Sequence, residues 1–306
     1  MRNLRVPVVV APMFLLSGPA LVIAACNSGV VGAFPTANAR TVADLDDCMR
    51  TIVDAQGPNS APWAANLVTH STNQRLRQDL DLVERYRPPI VITALGSPKP
   101  AIDVVHSYGG LVIADVVSIK LAEKAVSAGA DGLACICTGA GGHTGYLSPF
   151  AFLAAVRSMT DKLVILGGGI ADGYGVAGAV AAGADLVYMG TRFIATHESL
   201  AVDEYKRMVV AAGIDDITVS SAITGTAASW LKPSLLRFGY DPDHMPSNPP
   251  RDYDSSQAEA KRWKDLWAAG QGVGAVRRIE PVSQVVEQLA REYESAIERI
   301  AGLGKV

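Results

Sequence analysis

Cysteine is scarce in this chain of 306 residues: four stand at Cys26, Cys48, Cys135 and Cys137, with no CxxC spacing. That excludes a disulfide framework and predicts no metal site, leaving buried free thiols in a reducing compartment. Charged residues make up only 19%, the net charge is -3, and Lys and Arg are scattered rather than striped. The electrostatic footprint of a nucleic-acid binder is therefore missing, and a small-molecule ligand is the expectation. No run is apolar and long enough to span a membrane.

Met1 to Cys26 imitates a lipoprotein signal peptide, with two arginines, a long apolar run and Ile23-Ala24-Ala25-Cys26. Pro7, Pro12, Gly18 and Pro19 interrupt any continuous apolar helix there, and Val6 to Ala11 has the β-branched composition of a buried strand. The expectation is a cytoplasmic protein whose first strand lies in this stretch.

What the chain has is apolar residues, at 49%, and 29 glycines without a low-complexity tract. Short apolar runs recur with helical stretches between them: Val6 to Ala11, Val30 to Phe34, Trp63 to Leu67, Ile90 to Thr93, Leu111 to Ala114, Gly132 to Ile136, Val164 to Leu166 and Leu186 to Met189. Continuous apolar strands alternating with helices imply a parallel sheet covered by helices. Eight such units in a chain of this size predict an α/β fold of the (β/α)8 TIM-barrel type, with a doubly wound open sheet as the alternative. Ala-Gly-Ala-Asp occurs twice, at Ala128 to Asp131 and Ala182 to Asp185, each with a glycine where a helix ends and a strand follows.

In such a barrel the residues after each strand share one face. They are Pro12, Met13 and Phe14 after the first, Asn66 at the end of the third with His70 beyond it, and Asp115 at the fifth. The sixth strand opens into Gly139-Ala140-Gly141-Gly142-His143-Thr144-Gly145, a lone imidazole among glycines. A mobile loop with a solvent-facing histidine, or a base beside a closely approached ligand, both fit that stretch. The last two strands lead into Gly167-Gly168-Gly169-Ile170-Ala171-Asp172-Gly173 and Gly190-Thr191-Arg192. Loops there usually bind phosphate through backbone N–H groups, and three consecutive glycines can supply them.

Asn66, AGGHTG at Ala140 to Gly145, GGGIADG at Gly167 to Gly173 and MGTRF at Met189 to Phe193 together resemble the FMN-dependent nitronate monooxygenases, formerly 2-nitropropane dioxygenases. A weaker echo stands at Ala269 to Gly274. The resemblance implies noncovalent FMN on the C-terminal face of the barrel. Pro12, Met13 and Phe14 would lie beside the isoalloxazine, Asn66 would hydrogen-bond it and Gly142 would pack against it, while Gly168, Gly169, Gly190 and Thr191 would hold the phosphate. His143 would take the α-proton of a nitroalkane or meet the anionic nitronate, with dioxygen as co-substrate and a carbonyl compound and nitrite as products.

Two positions depart from the family pattern. Gly139 stands where many relatives carry glutamate, and Asp115 stands where relatives often carry a lysine, a glutamine or another donor to the flavin. An ionised aspartate cannot supply positive charge there, so substrate and redox tuning stay open between nitronate oxidation and an NAD(P)H-dependent quinone or enoyl-acyl-carrier-protein reductase of the same fold. A flavin-free barrel acting on a sugar phosphate is the reading of another class.

Residues 1–198 are expected as the barrel, 199–276 as a helical cap shaping the substrate pocket, and 277–306 as a helix packed back on the barrel. Gly239 to Ser256 reads as an exposed loop. Trp263 and Trp267 are placed on one helix face, in the core or against substrate or a second copy of the chain in a homodimer. His197 is read as structural, and His106 and His244 are given no companions or role.

Overall fold

The alternation of apolar strand and helix closes on itself. In the computed structural model, which describes residues 4–246 and 263–303, eight parallel strands form a closed barrel. They are β1 (Val8–Val10), β2 (Val31–Pro35), β3 (Trp63–Val68), β4 (Ile90–Ala94), β5 (Leu111–Val116), β6 (Gly132–Ile136), β8 (Leu163–Gly167) and β9 (Leu186–Met189). All eight expected runs are strands, and the barrel closes where Val8, Val9 and Val10 pair with Val187, Tyr188 and Met189. The stretch resembling a signal peptide thus supplies β1 and helix α1 (Pro19–Asn27).

The outer ring continues with α2 (Val42–Asp54), α3 (Leu76–Tyr86), α4 (Lys99–Ser107), α5 (Ile119–Ser127), α6 (Pro149–Arg157) and α7 (Gly173–Ala181). Local chemistry fixes their starts: Thr41 and Asp44 form a capping box on α2, and the Ser118 and Asp172 side chains accept the Leu121 and Gly175 amides. Residues alternate along each strand. Val9, Val31, Ala64, Ile92, Ile113, Ala134, Ile165 and Leu186 fill the barrel, while Val8, Val10, Leu133, Cys135, Val164 and Val187 pack outward against the helices.

The repeated Ala-Gly-Ala-Asp has one mechanical use in both copies. Gly129 (φ +100) and Gly183 (φ +112) turn the chain off α5 and α7 in backbone that favours glycine. Each following aspartate then clips the neighbouring strand. The Asp131 amide donates to the Val112 carbonyl and its carboxylate accepts the Val112 amide, both at 2.8 Å. Asp185 does the same to Val164, at 2.9 and 2.7 Å.

After β9 come α8 (Thr191–Ile194), α9 (Asp203–Ala211), α10 (Lys232–Arg237) and α11 (Val282–Leu303), the last packed on α7 through Leu289 and its neighbours. The segment expected as a helical cap also carries a sheet. Strands β10 (Ile217–Ser220) and β11 (Ala228–Leu231) form a hairpin that recruits β7 (Gly142–His143), the two-residue strand inside the histidine loop. Residues 247–256 of the expected exposed loop lie outside the described residues. Trp263 and Trp267 do not share a helix: Trp263 sits in a turn at φ +64 and stacks on Trp230, whereas Trp267 stacks on Tyr205 beneath Arg237. Among the described residues no helix is long and apolar enough to cross a membrane.

Asp131→Ala removes the acceptor for the Val112 amide and the partner of His106 at 2.8 Å. It should lower unfolding free energy by about 1–3 kcal/mol in urea titration. An unchanged midpoint and slope would show that the clip is not needed.

Candidate active site

Three loops at the C-terminal ends of β6, β8 and β9 meet the segment around Gly270 and Gln271 with almost no side chain between them. A Cβ at Gly139 would stand 3.3 Å from the Gly169 amide nitrogen and 3.0 Å from Gln271 Oε1. One at Gly141 would come within 2.7 Å of the Gly270 nitrogen and 3.0 Å of Thr191 Oγ1. The backbone contact at Gly141 leaves no room for a side chain, and at Gly139 (φ +86) one would crowd its neighbours in backbone that favours glycine, so these glycines set how closely the backbones approach. Hydrogen bonds fix the arrangement: the Gln271 amide donates to the Gly139 carbonyl at 2.9 Å, and the Gly270 amide to Thr191 Oγ1 at 2.8 Å. The faint echo at Ala269 to Gly274 is thus a wall of the same cradle.

Gly168 (φ +152) and Gly169 (φ +70) both hold backbone that favours glycine. A Cβ at Gly168 would strike the Thr138 carbonyl at 2.7 Å, whereas at Gly169 the nearest atom is Gln271 Cβ at 3.9 Å. Both glycines line a groove of about 680 Å³ with Phe150, Tyr174 and Gln271. A smaller cavity of about 430 Å³, around Leu4, Pro7 and Asp185, opens at the opposite end of the barrel, away from these loops.

His143 is held rather than loose. Its strand pairs with β11, placing His143 opposite Ala228 and Gly142 opposite Ser229. Thr144 adds two ties, its amide to the Ala227 carbonyl at 3.1 Å and its hydroxyl to the Cys137 carbonyl at 3.0 Å. The imidazole meets the Trp263 indole edge-on, with ring centroids 5.1 Å apart, and Trp230 backs that indole at 4.7 Å. One side of the ring stays open to solvent, yet the surrounding protein removes enough water to lower its pKa from the ordinary value. Desolvation disfavours the imidazolium, so a neutral base is available at and below neutral pH.

The other expected site residues gather around the same end. Met13 follows β1 and approaches Gly190, where a Cβ would stand 3.4 Å from Met13 Sδ; Phe14 is exposed. Asn38, unmarked by any motif, holds the loop from Pro12 to Ser17 with three hydrogen bonds. Its side chain donates to the Met13 and Ser17 carbonyls at 3.0 and 2.7 Å and accepts the Leu15 amide at 2.8 Å. Leu15 needs this support, because its φ of +63 is unfavourable for a non-glycine residue. Asn66 is buried on β3 with its amide donating to the Ile92 carbonyl at 3.2 Å. Asp115 on β5 points into the barrel, and burial raises its carboxyl to about 7.

The remaining histidines stand apart. His106 and His244, expected without companions, bind Asp131 and Asp241 at 2.8 Å: the α5–β6 connection sets Asp131 beside α4, and a short turn sets Asp241 beside His244. His70 contacts Thr72 on an exposed turn, and the His197 amide donates to the Glu280 carbonyl. Among the described residues no group of three His, Cys, Asp or Glu side chains is arranged to hold a metal.

Comparison with known proteins is consistent with this geometry. Residues 58–292 match the model of the nitronate monooxygenase family. The chain belongs to the nitronate monooxygenase family. A nitronate monooxygenase from Paraburkholderia phytofirmans is 29% identical across 96% of the chain and 94% of its own length. A (3aS,4S,5R,7aS)-5-hydroxy-7a-methyl-1-oxo-octahydro-1H-indene-4-carboxyl-CoA dehydrogenase from Rhodococcus jostii is 33% identical over 75% of the chain, which spans 64% of that relative. Among solved structures, FabK from Thermotoga maritima superposes with a TM-score of 0.80 at 26% identity, covering 98% of this chain and 96% of FabK. A nitroalkane oxidase from Streptomyces ansochromogenes shares the fold, with a TM-score of 0.84 at 24% identity over 97% of this chain and 98% of its own. As a nitronate monooxygenase family member the protein is an oxidoreductase.

For this family member, Trp263→Ala should admit water to the imidazole and raise the His143 pKa toward about 6.5. An NMR titration of the ring carbons reads this directly. An unchanged or lower value would mean that the indole does not shield the imidazole.

Proposed function

We propose that the protein is an FMN-dependent enzyme that oxidises alkyl nitronates with dioxygen to a carbonyl compound and nitrite. The observation that carries this reading is a neutral, partly open imidazole held by strand pairing beside a cradle built of glycine backbone. Bound FMN would supply a redox centre that accepts an electron from the nitronate and lets dioxygen react. The residues present fit that group. Gly168, Gly169, Gly190 and Thr191 offer amides for one terminal phosphate, whereas the GxGxxG at Gly173 to Gly178 lies inside helix α7 and packs against α11, where a Cβ at Gly173 would strike the Leu289 carbonyl, instead of forming the turn directly after a strand that an adenine dinucleotide needs. Pro12, Met13, Phe14 and Gly142 would flank the ring, and Asn66 and Asp115 would meet its polar atoms.

His143 takes the α-proton of a neutral nitroalkane: the C–H bond breaks, the electron pair moves onto the nitro group, and the proton resides on the imidazole. With a preformed nitronate the same ring, once protonated, orients the anion. Because burial lowers its pKa, the base form persists as pH falls toward the mildly acidic range, and rate with a neutral nitroalkane declines only below the ordinary histidine value. The described part of segment 199–276 shapes the substrate pocket through Trp230 and Trp263, and residues 277–303 brace the barrel. The free cysteines suit the cytoplasm.

A second reading has its own support. The FabK-like structure and the indene-carboxyl-CoA dehydrogenase relative favour an FMN-dependent NAD(P)H oxidoreductase acting on a thioester or a quinone. A flavin-free barrel enzyme would instead purify colourless and fail to take up FMN.

Acid-released cofactor should run as FMN on chromatography, and FAD would overturn the single-phosphate assignment. Gly169→Val should purify folded by circular dichroism but depleted of flavin, since branches at that position fill the cradle; full occupancy would contradict it. His143→Ala should lose about 10²- to 10⁴-fold in rate with a neutral nitroalkane and much less with preformed nitronate, while keeping its flavin. Equal losses with both substrates would make His143 a binding group instead of a base.

A further inference from the structure

The upper layer of the barrel interior holds polar side chains where the layers below are aliphatic. Asn66 on β3 is satisfied by the Ile92 carbonyl. Asp115 on β5 and Tyr188 on β9 are not: Asp115 Oδ1 and the Tyr188 hydroxyl are both buried without a hydrogen-bond partner among the described residues. Both stand at inward-facing positions of the barrel, Asp115 two residues after the interior Ile113. Tyr188 lies among the interior residues Ile165 and Leu186, and a negative Asp115 acts electrostatically on its hydroxyl. Space for the phenol comes from Gly167, its partner across the β8–β9 ladder, where a Cβ would stand only 3.1 Å from Tyr188 Cβ.

Two orphaned polar atoms in an apolar barrel interior are costly unless something bonds them. A lone carboxylate is costlier still, and among the described residues no ammonium or guanidinium acts on Asp115 to keep it ionised. The titratable neighbours that sense it are Tyr188 from β9 and the buried Cys135 thiol from β6. Burial is the sole cause of its raised carboxyl. A buried acid without a cation relieves the cost by staying protonated, and it then donates a hydrogen bond.

We propose that Asp115 in its acid form and Tyr188 are a pair of neutral hydrogen-bond donors that line the buried side of the cofactor cavity and bind the polar edge of the flavin ring. This rests on the flavin reading above and deepens it. A donor is supplied at Asp115 without the positive charge that a lysine would bring, and Tyr188 supplies a second from the opposite wall. The ring is thereby held by groups that leave its charge uncompensated.

The test uses the purified holoenzyme and its visible absorption. In the wild type the bound-flavin bands should shift as pH rises through about 7, where Asp115 ionises against the ring. Asp115→Asn should retain flavin and abolish that shift, because the amide donates without titrating. Tyr188→Phe should weaken FMN about 5- to 10-fold by fluorescence titration, the loss of one hydrogen bond, with unchanged thermal unfolding of the flavin-stripped protein. A shift that persists in Asp115→Asn, or a Tyr188→Phe protein with unaltered affinity and spectrum, would overturn the proposal while leaving the flavin reading intact. A protein that binds no flavin would overturn both.

Discussion

Barrel closure between β1 and β9 is the constraint on which the rest depends. Three residue pairs, Val8 with Val187, Val9 with Tyr188 and Val10 with Met189, join the first strand to the last. Once they pair, every strand runs the same way around one axis, and residues as distant as Met13 and Gly190 become neighbours at one end. At the opposite end the Asp131 and Asp185 clips tie neighbouring strands together as structural devices. Stability and chemistry are thus assigned to different ends of one sheet.

At the chemical end two demands conflict. A ligand with a phosphate and a flat ring needs backbone donors at short range, which glycine provides at the expense of rigidity. Rigidity is restored from outside the cradle. Asn38 pins the loop after β1, β11 zips the His143 strand, and the segment at Gly270 and Gln271 bonds Thr191 and Gly139. Behind α8 the buried Arg192 binds Glu280 at 2.9 Å, fixing the helix that begins at Thr191. The glycines give approach and their neighbours give position.

Much of the fold was legible because buried parallel strands appear as unbroken apolar runs, from Val8–Val10 to Leu186–Met189. The cradle loops were legible from glycine density. Other features had no local signal. Strand β7 is two residues long and pairs with a hairpin more than eighty residues away, so no periodicity announces it. Asn38 acts through a loop contact with no motif. Trp263 was misplaced on a helix because tryptophan spacing alone cannot reveal a left-handed turn. Tyr188 could have been found: it shares its strand face with Leu186, and a hydroxyl on an interior face stands out under strict alternation.

In the proposed reaction the site takes electrons from a nitronate at a flavin beside a neutral His143. Anaerobic mixing of the holoenzyme with an alkyl nitronate, NADH or NADPH in separate experiments, followed at the flavin absorption bands, tests this most directly. Bleaching by the nitronate, with either nicotinamide inert, is the predicted result; rapid bleaching by NADH or NADPH and none by the nitronate would contradict it.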